Sequence, residues 1–349
     1  MINLKNNQIG IFSDIHIGLG QDSSLWHNCV IEFAQWLKKL YESKNIKDII
    51  IPGDIFHNRS EISVNTLNVA KNFFETLSDF NIYILAGNHD CYYKDRSDIN
   101  SISLLSYWNN IHIIDKEPIT LKYKNKNIVL IPWATSLDKI PKADICFGHF
   151  EINSFYMNTH KICDHGTPSE VLLDKSPMII SGHFHKKSSR KYSNGTIYYL
   201  GSPYQQNFGD TDDERGVYIL NLENNNLDFY PNTISPKHIK INLTQLISGL
   251  KNAEYLRSSI PNNLISLIID TNLPSEKISL IASKIQNLNP KSFRIDYRLE
   301  ESITSTTNQT DYSSIDISKS IEDFVETLDV QYKKDVVNYL NQLYTNLNK

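Results

Sequence analysis

The chain has 349 residues, of which 40% are hydrophobic, 11% aromatic and 21% charged, and its formal net charge at pH 7 is −4. This composition is that of an ordinary globular protein and excludes a largely disordered chain. No apolar run approaches the ~20 residues that a membrane helix needs, and the nearly balanced charge excludes a strongly basic nucleic-acid-binding domain, so any contact with nucleic acid must come from local patches.

The first part of the chain alternates short β-branched runs with helical patterns. In chain order, the pattern predicts strand Ile9–Phe12, helix Leu25–Leu40, strand Ile49–Ile51, helix Val64–Leu77, and strands Ile82–Ala86, Ile145–Phe147, Met178–Ile180, Ile197–Leu200 and Val217–Leu220. The alternation indicates an α/β domain over residues 1–235.

The pattern changes after Pro236. Residues 236–300 predict a small capping domain with the order strand, helix, strand, helix, strand, at His238–Asn242, Thr244–Leu256, Leu264–Asp270, Ser275–Leu288 and Phe293–Leu299. Residues 301–314 are rich in Ser and Thr and predict a linker.

Residues 315–349 predict two amphipathic helices. Their apolar faces carry Ile317, Ile321, Phe324 and Leu328 in the first helix and Val336, Leu340 and Leu343 in the second. We expect these faces to bind a partner; the alternative is that they pack on each other or on the chain's own domain.

The four cysteines, Cys29, Cys91, Cys146 and Cys163, show no CxxC spacing, which argues against a disulfide framework and a zinc ribbon. We therefore expect free thiols. The polar segment Met1–Gln8 has no apolar stretch of a secretory signal, so we expect a cytoplasmic protein.

Five short polar motifs stand at the ends of predicted strands. They are Asp14-Ile15-His16, Gly53-Asp54, Gly87-Asn88-His89-Asp90, Gly148-His149 and Gly182-His183-Phe184-His185. Carboxylate, amide and imidazole donors that meet at the carboxyl ends of strands suit a pair of divalent cations about 3.5–4 Å apart that share one carboxylate.

Any one of these motifs alone is more often part of a loop contact than of a metal site. The five motifs in this order, each after a predicted strand, indicate a metal site. We expect extended backbone in the Asp-x-His and His-x-His segments, so that both side chains of a segment reach one ion.

This ordered set resembles the signature of the calcineurin-like metallophosphoesterases over residues 9–220. The resemblance implies a β-sandwich flanked by helices. It implies a first ion held by Asp14, His16, Asp54 and His185, and a second held by Asp54, Asn88, His149 and His183. It places His89 outside the metal shell, where it stabilises the transition state or protonates the leaving oxygen.

Within that superfamily, the segment Gly53–His57 resembles the SbcD nucleases, which include the meiotic recombination 11 family, and implies that His57 helps to orient the substrate. The segments Gly148–Asn153, Ser181–His185 and Gly201–Pro203 are similar to nuclease subunits of T-even phages. The resemblance implies a Mn²⁺-dependent DNA exonuclease and endonuclease of recombination and double-strand break repair, in a bacterial cell or a phage-infected host.

The same resemblance implies partners. The terminal helices would bind a coiled-coil ATPase of the SbcC type, and a homodimer of this chain would form part of a heterotetramer. Two other functions stay open: a phosphatase or small-molecule phosphodiesterase that uses the same metals, and a metal-free scaffold. The residue His57, the capping domain and the terminal helices favour the nuclease.

Two groups of residues are candidates for DNA contact. The basic run holds Lys186, Lys187, Arg190 and Lys191, and the alternative is the solvated rim of a hairpin. The second group is Tyr92, Tyr93 and Lys94, for which base stacking competes with core packing of one tyrosine. The remaining residue of interest is His165, in a predicted loop at 153–169 near the metals.

Overall fold

The computed structural model describes residues 2–157, 161–298, 325 and 332–347. The chain divides into two compact units, Met1–Leu299 and Glu300–Lys349. The predicted linker at 301–314 and most of the predicted helix around Ile317, Ile321, Phe324 and Leu328 lie outside the described residues.

Two sheets of the described part of the first unit face each other. One has seven strands, in the order β1 (Ile2–Asn3), β6 (Ile119–Tyr123), β7 (Lys126–Ile131), β8 (Ile145–Gly148), β9 (Met178–Ser181), β11 (Gly195–Tyr199) and β10 (Ser188–Tyr192). The other has six, in the order β13 (Asn226–Pro231), β12 (Gly216–Asn221), β2 (Gln8–Ile11), β3 (Asp48–Ile51), β4 (Asn81–Leu85) and β5 (Ile111–Ile114). Buried side chains of both sheets, such as Ile11 and Phe147, form one core between them.

Helices cover the outer faces of this sandwich. The helices of the chain before residue 235 are α1 (Leu19–Asp22), α2 (Ser24–Ser43), α3 (Val64–Thr76) and α4 (Ser169–Leu173). The buried face of α2 includes Phe33 and Leu37, which share a core with Phe73 of α3. Ser63 starts α3 by accepting a hydrogen bond from the Thr66 N–H. The predicted α2, α3 and the strands before the five polar motifs therefore appear within a few residues of the expected bounds.

Residues 236–298 add a third sheet with its own apolar core. Its parallel strands are β14 (His238–Asn242), β15 (Leu264–Ile269) and β16 (Ser292–Tyr297), and its helices are α5 (Leu243–Ile247), α6 (Ala253–Ser259) and α7 (Ser275–Gln286). The prediction of one helix over Thr244–Leu256 is wrong. Gly249 has φ of +75°, which ends α5, and the Asn252 side chain accepts from the Tyr255 N–H to start α6.

In the second unit, the described helix α8 is Lys333–Leu347. Val336 and Leu340 lie on it and are partly buried. Among the described residues, no helix combines the length and apolar character that a membrane span requires.

We predict that Gly249→Ala lowers the free energy of unfolding by about 1–2 kcal/mol, because the left-handed conformation disfavours a side chain. No heavy atom lies within 4 Å of the added methyl group, so backbone strain is the whole cost. Urea denaturation measures the change, with the neighbouring exposed Ser248→Ala as the matched control. Equal stability of the two variants would contradict the backbone argument.

Candidate metal centre

The first group of donors comes from three separate strand ends. Asp14, His16, Asp54 and His185 each offer one atom, and these atoms lie within 4.8 Å of one another. Nε2 of His16 is 3.0 Å from Nε2 of His185 and 3.5 Å from Oδ2 of Asp54. Two imidazole nitrogens that face each other beside a carboxylate oxygen leave room for a cation between their lone pairs.

A second group lies on the other side of Asp54. The ligand atoms of Asp54, His149 and His183 lie within 4.8 Å of one another. Oδ1 of Asn88 is 2.8 Å from Nε2 of His149 and 2.7 Å from Nδ1 of His183. Nδ1 of His149 is 2.7 Å from the Pro52 carbonyl oxygen and donates to it, which leaves Nε2 as the ring nitrogen that faces the group.

Asp54 belongs to both groups. Its Oδ1 accepts a hydrogen bond of 2.8 Å from the backbone N–H of His89. Its Oδ2 lies 3.5 Å from Nε2 of His16 and 3.4 Å from Nε2 of His149. One carboxylate oxygen thus faces an imidazole of each group, which is the arrangement that a shared ligand of two cations needs.

The backbone at these donors is not extended. The φ angles are 58° at Asp14, 47° at His16, 56° at Asp54 and 89° at His183. The expectation of extended Asp-x-His backbone is therefore wrong, although Asp14 and His16 do reach one group. His183 and His185 reach different groups, so the expectation that both bind one ion is also wrong, because the positive φ at His183 breaks the extended path. Left-handed non-glycine residues cost of order 1–3 kcal/mol each and cluster at functional sites.

Two glycines let the loops approach closely. Gly53 has φ of +91°, and a Cβ there would lie 2.5 Å from Nδ1 of His149. A Cβ on Gly87 would overlap the backbone nitrogen and a carboxylate oxygen of Asp54. The loops after β3 and β4 can therefore meet only where neither carries a side chain.

Asp90 fixes these two loops, a role that the sequence analysis missed. Its Oδ2 accepts from the N–H groups of Asp54 at 2.9 Å and Gly87 at 3.0 Å, and its Oδ1 accepts from Ile55 at 2.9 Å and Phe56 at 3.1 Å. The carboxylate is 1% exposed, so these backbone groups have no access to bulk water as a substitute.

The site concentrates buried negative charge. Burial raises the pKa of Asp14 to about 7, and the Asp54 carboxylate adds to the shift. Burial and Asp54 likewise raise the pKa of Asp90 to about 7. Burial lowers the pKa of His149, but the charge and hydrogen bond of Asp54 outweigh it and raise that pKa to about 9. Such a cluster of buried carboxylates favours cations, which would offset the cost of the charges.

His89 and His57 lie beside the first group. Nδ1 of His89 is 2.7 Å from the carbonyl oxygen of His57 and donates to it, which leaves Nε2 of His89 without this proton. The two rings stack with centroids 5.8 Å apart, and the His89 centroid is 4.8 Å from that of His16. Burial, followed by the nearby His89, lowers the pKa of His57.

The basic run lies along a β-hairpin at the sheet edge, formed by β10 and β11. Nζ of Lys187 is 2.9 Å from Oε2 of Glu214, and Nη2 of Arg190 donates to the Ser154 carbonyl at 2.5 Å. Lys186 and Lys191 flank them. Two of the four basic side chains, Lys187 and Arg190, therefore already contact oxygen atoms of the chain itself.

Tyr92 and Tyr93 are 54% and 40% exposed, so the alternative in which one packs in the core is wrong. Trp133, which the sequence analysis missed, donates from Nε1 to the Lys94 carbonyl at 2.8 Å. Its ring centroid is 5.4 Å from that of His183. Lys94, Trp133 and His149 are among the residues that line a cavity of about 380 Å³.

Arg215 is a second buried residue that sequence reasoning missed. Its Nη1 donates to the carbonyl oxygen of His185 and, at 2.7 Å, to Oγ of Ser202. Its Nη2 is 2.8 Å from Oδ1 of Asp210. The guanidinium group thus holds the backbone that carries a donor of the first group.

Comparison with known proteins identifies relatives of this chain. The family model described as calcineurin-like phosphoesterase matches residues 8–230. Exonuclease subunit 1 of Enterobacteria phage T4 is 30% identical over 230 residues, which cover 63% of this chain and 66% of that protein. Putative phosphoesterase 078R of Invertebrate iridescent virus 3 is 24% identical over 201 residues, covering 52% and 54%. The chain therefore spans between about half and two thirds of these relatives.

Solved structures that match this chain include a dimetal phosphatase from Danio rerio, with a TM-score of 0.40, 10% identity and coverage of 64% of this chain and 95% of that one. Another is the nuclease MPE of Pseudomonas putida, with a TM-score of 0.32, 15% identity and coverage of 64% and 87%. The predicted α/β fold class, a sandwich of sheets flanked by helices, is confirmed.

We predict that Asp90→Asn lowers the free energy of unfolding by about 3 kcal/mol, because hydrogen bonds to a charged group are lost and an amide N–H faces buried donors. Urea denaturation of the metal-free protein measures the change. The matched control is Asp98→Asn, whose carboxylate is 52% exposed. A loss no greater than that of the control would show that Asp90 does not brace the loops.

We predict that Asp54→Asn weakens the uptake of two Mn²⁺ ions, whereas Asn88→Ala weakens the uptake of one, because only Asp54 faces both donor groups. Equilibrium dialysis gives the stoichiometry, and electron paramagnetic resonance reports coupling between neighbouring Mn²⁺ ions. Asn72→Ala on the exposed face of α3 is the control for Asn88→Ala. Unchanged uptake by Asp54→Asn would contradict a shared ligand.

Proposed function

Because this chain belongs to the calcineurin-like phosphoesterase family, whose model matches residues 8–230, we propose that it is a two-metal DNA nuclease. The observation that carries the proposal is the position of Oδ2 of Asp54, 3.5 Å from His16 and 3.4 Å from His149, with His89 alongside. Hydrolysis of a phosphodiester requires neutralised charge on the phosphate oxygens, an in-line nucleophile and a stabilised leaving oxygen. Cations at the donors would meet the first two requirements, and His89 would meet the third.

Two sets of donors would hold the cations. They are Asp14, His16, Asp54 and His185 for one ion, and Asp54, Asn88, His149 and His183 for the other. When bound, the cations supply charge neutralisation and make water a nucleophile near neutral pH. Mixed nitrogen and oxygen donors suit Mn²⁺, Fe²⁺ or Zn²⁺ better than Mg²⁺, and we propose Mn²⁺.

His89 would serve the leaving oxygen. Its Nδ1 proton is committed to the His57 carbonyl, so Nε2 is the nitrogen that holds or delivers a proton toward substrate. His57 fixes this tautomer through its carbonyl, and its own ring stacks on that of His89. His57 would thereby position both His89 and the substrate.

Two cavities next to the donor groups favour a polymeric substrate over a small phosphate ester. A cavity of about 670 Å³ is lined by residues that include His57 and Asn58, and one of about 380 Å³ by residues that include Lys94 and Trp133. A strand that passes from one to the other would cross both donor groups. The rings of Trp133 and Tyr92 offer faces for bases, worth about 1–3 kcal/mol per stacked base. Lys186, Lys187, Arg190 and Lys191 remain candidates for backbone contact.

We further propose that the chain works in a complex. Its relative in phage T4 is named as a subunit of an exonuclease. The expected partner is a coiled-coil ATPase of the SbcC type, bound through residues 315–349, with a homodimer of this chain in a heterotetramer that processes DNA ends in recombination and repair. Residues 236–300 would cap the DNA-facing side. The expected location is the cytoplasm of a bacterial cell or an infected host.

We predict Mn²⁺-dependent release of nucleotides from end-labelled linear DNA, and a loss of roughly 10²–10⁴-fold in that rate for His89→Ala, the range expected for a general acid. The variant should still take up two Mn²⁺ ions, because His89 lies outside both donor groups. His112→Ala, whose ring stacks on Tyr83, is the matched control.

The same assay distinguishes the competing functions. Turnover of small phosphate esters without cleavage of DNA would replace the nuclease by a phosphatase or small phosphodiesterase, and absence of both with no bound cation would favour a scaffold. Loss of Mn²⁺ together with activity in His89→Ala would show that His89 is a ligand.

A further inference from the structure

A third group of potential ligands lies outside both donor groups of the metal centre. Glu151, Cys163 and His165 each offer one donor atom, and these atoms lie within 4.8 Å of one another. Oε1 of Glu151 is 3.0 Å from Nε2 of His165. We propose that these three side chains form a binding site for a zinc-type cation, distinct from the pair around Asp54.

The chemistry of the donors points to this class of cation. Thiolate, imidazole and carboxylate are the ligands that Zn²⁺ uses, and three protein ligands leave its fourth position for water. The two groups around Asp54 contain nitrogen and oxygen donors alone among the described residues. A thiolate therefore makes the third site softer than the other two, so Mn²⁺ should avoid it and Zn²⁺ should prefer it.

The ring of His165 is oriented as a ligand requires. Its Nδ1 is 2.7 Å from Oδ1 of Asp164 and donates to that carboxylate. Nε2 donates to Oε1 of Glu151 at 3.0 Å, so a cation bound between these two atoms would replace the Nε2 proton, which leaves to solvent. Metal-binding histidines commonly donate their second nitrogen to a carboxylate in this way, which fixes both the tautomer and the ring.

The sulfur atom is held in place by the loop. Cys163 pairs through its backbone N–H with the Phe155 carbonyl at 2.8 Å and through its carbonyl with the Ser154 N–H at 2.7 Å. Its thiol donates to the His165 carbonyl at 2.9 Å. On binding, that proton leaves to solvent and the sulfur bonds to the cation, with no change of oxidation state. Cys163 is buried, whereas the His165 side chain is 57% exposed.

The site would close a loop next to the metal pair. Glu151 follows the donor His149 by two residues, and its carbonyl accepts from the Thr167 N–H at 2.8 Å. A cation bound by Glu151, Cys163 and His165 would link residue 151 directly to residues 163 and 165. Oε1 of Glu151 also lies 4.0 Å from Nε2 of His183, so the cation would fix a carboxylate beside a donor of the second group.

The test uses the full chain, stripped of metal and titrated with Co²⁺ as a spectroscopic substitute for Zn²⁺. Sulfur bound to Co²⁺ gives a charge-transfer absorption in the near ultraviolet that nitrogen and oxygen ligands do not give. We expect this band to saturate with one equivalent and to disappear when Zn²⁺ is added. Elemental analysis after dialysis should find three equivalents of Zn²⁺ but two of Mn²⁺.

Variants assign the band to this site. Cys163→Ser should abolish it and reduce bound Zn²⁺ by one equivalent, whereas Cys29→Ser should change neither. His165→Ala and Asp164→Asn alter exposed side chains and keep the test valid if Cys163→Ser fails to fold. We expect Asp164→Asn to weaken Zn²⁺ binding by about 10–100-fold, as for other residues that orient a ligand.

A wild-type protein without the band, or one that binds no more Zn²⁺ than Cys163→Ser does, would overturn the proposal. So would a band that survives in both Cys163→Ser and His165→Ala. Neither DNA nor hydrolysis enters these measurements, so their outcome is independent of the proposed nuclease activity.

Discussion

One buried carboxylate holds the metal centre together. Asp90 accepts hydrogen bonds from the backbone of Gly87 in its own loop and of Asp54, Ile55 and Phe56 in the neighbouring loop. Buried N–H groups without an acceptor would each destabilise the fold, so the carboxylate determines how the two loops meet. Asp54 is thereby fixed in a left-handed conformation in which its Oδ2 faces an imidazole of both donor groups.

The other donors lie around Asp54. Holding these donors together lowers the stability of the fold before any cation binds. Asp14, His16, Asp54 and His183 all have positive φ, and the carboxylates among them are buried. Backbone strain and buried charge both disfavour the folded state. A ligand that binds only the folded state offsets such costs, by about 2.7 kcal/mol when its concentration is 100 times its dissociation constant. Cations bound at these donors would therefore stabilise the folded protein.

The sequence predicted which of these residues lie close together better than it predicted their backbone geometry. The motifs follow buried strands of strong β-branched character, so their position at the carboxyl ends of strands, which the structure distributes over both sheets, followed from local pattern. The left-handed backbone at Asp14 and His16 did not, because packing between distant segments determines it. The contacts of Asp90, Trp133 and Arg215 likewise join segments far apart in the chain. Strands β1, β5, β6, β7, β10 and β13 were missed. Of these, β5, β6, β10 and β13 are only partly buried and lack a continuous apolar run.

Because one oxygen of Asp54 faces both donor groups, two cations bound there would not be thermodynamically independent. An ion in either position draws electron density from the same carboxylate and repels a second positive charge nearby. Filling one position therefore changes the affinity of the other, and by linkage the effect is the same in both directions. We expect the two cations to bind stepwise, the first tightly and the second more weakly. The concentration of free cation would then determine the fraction of molecules that hold two ions.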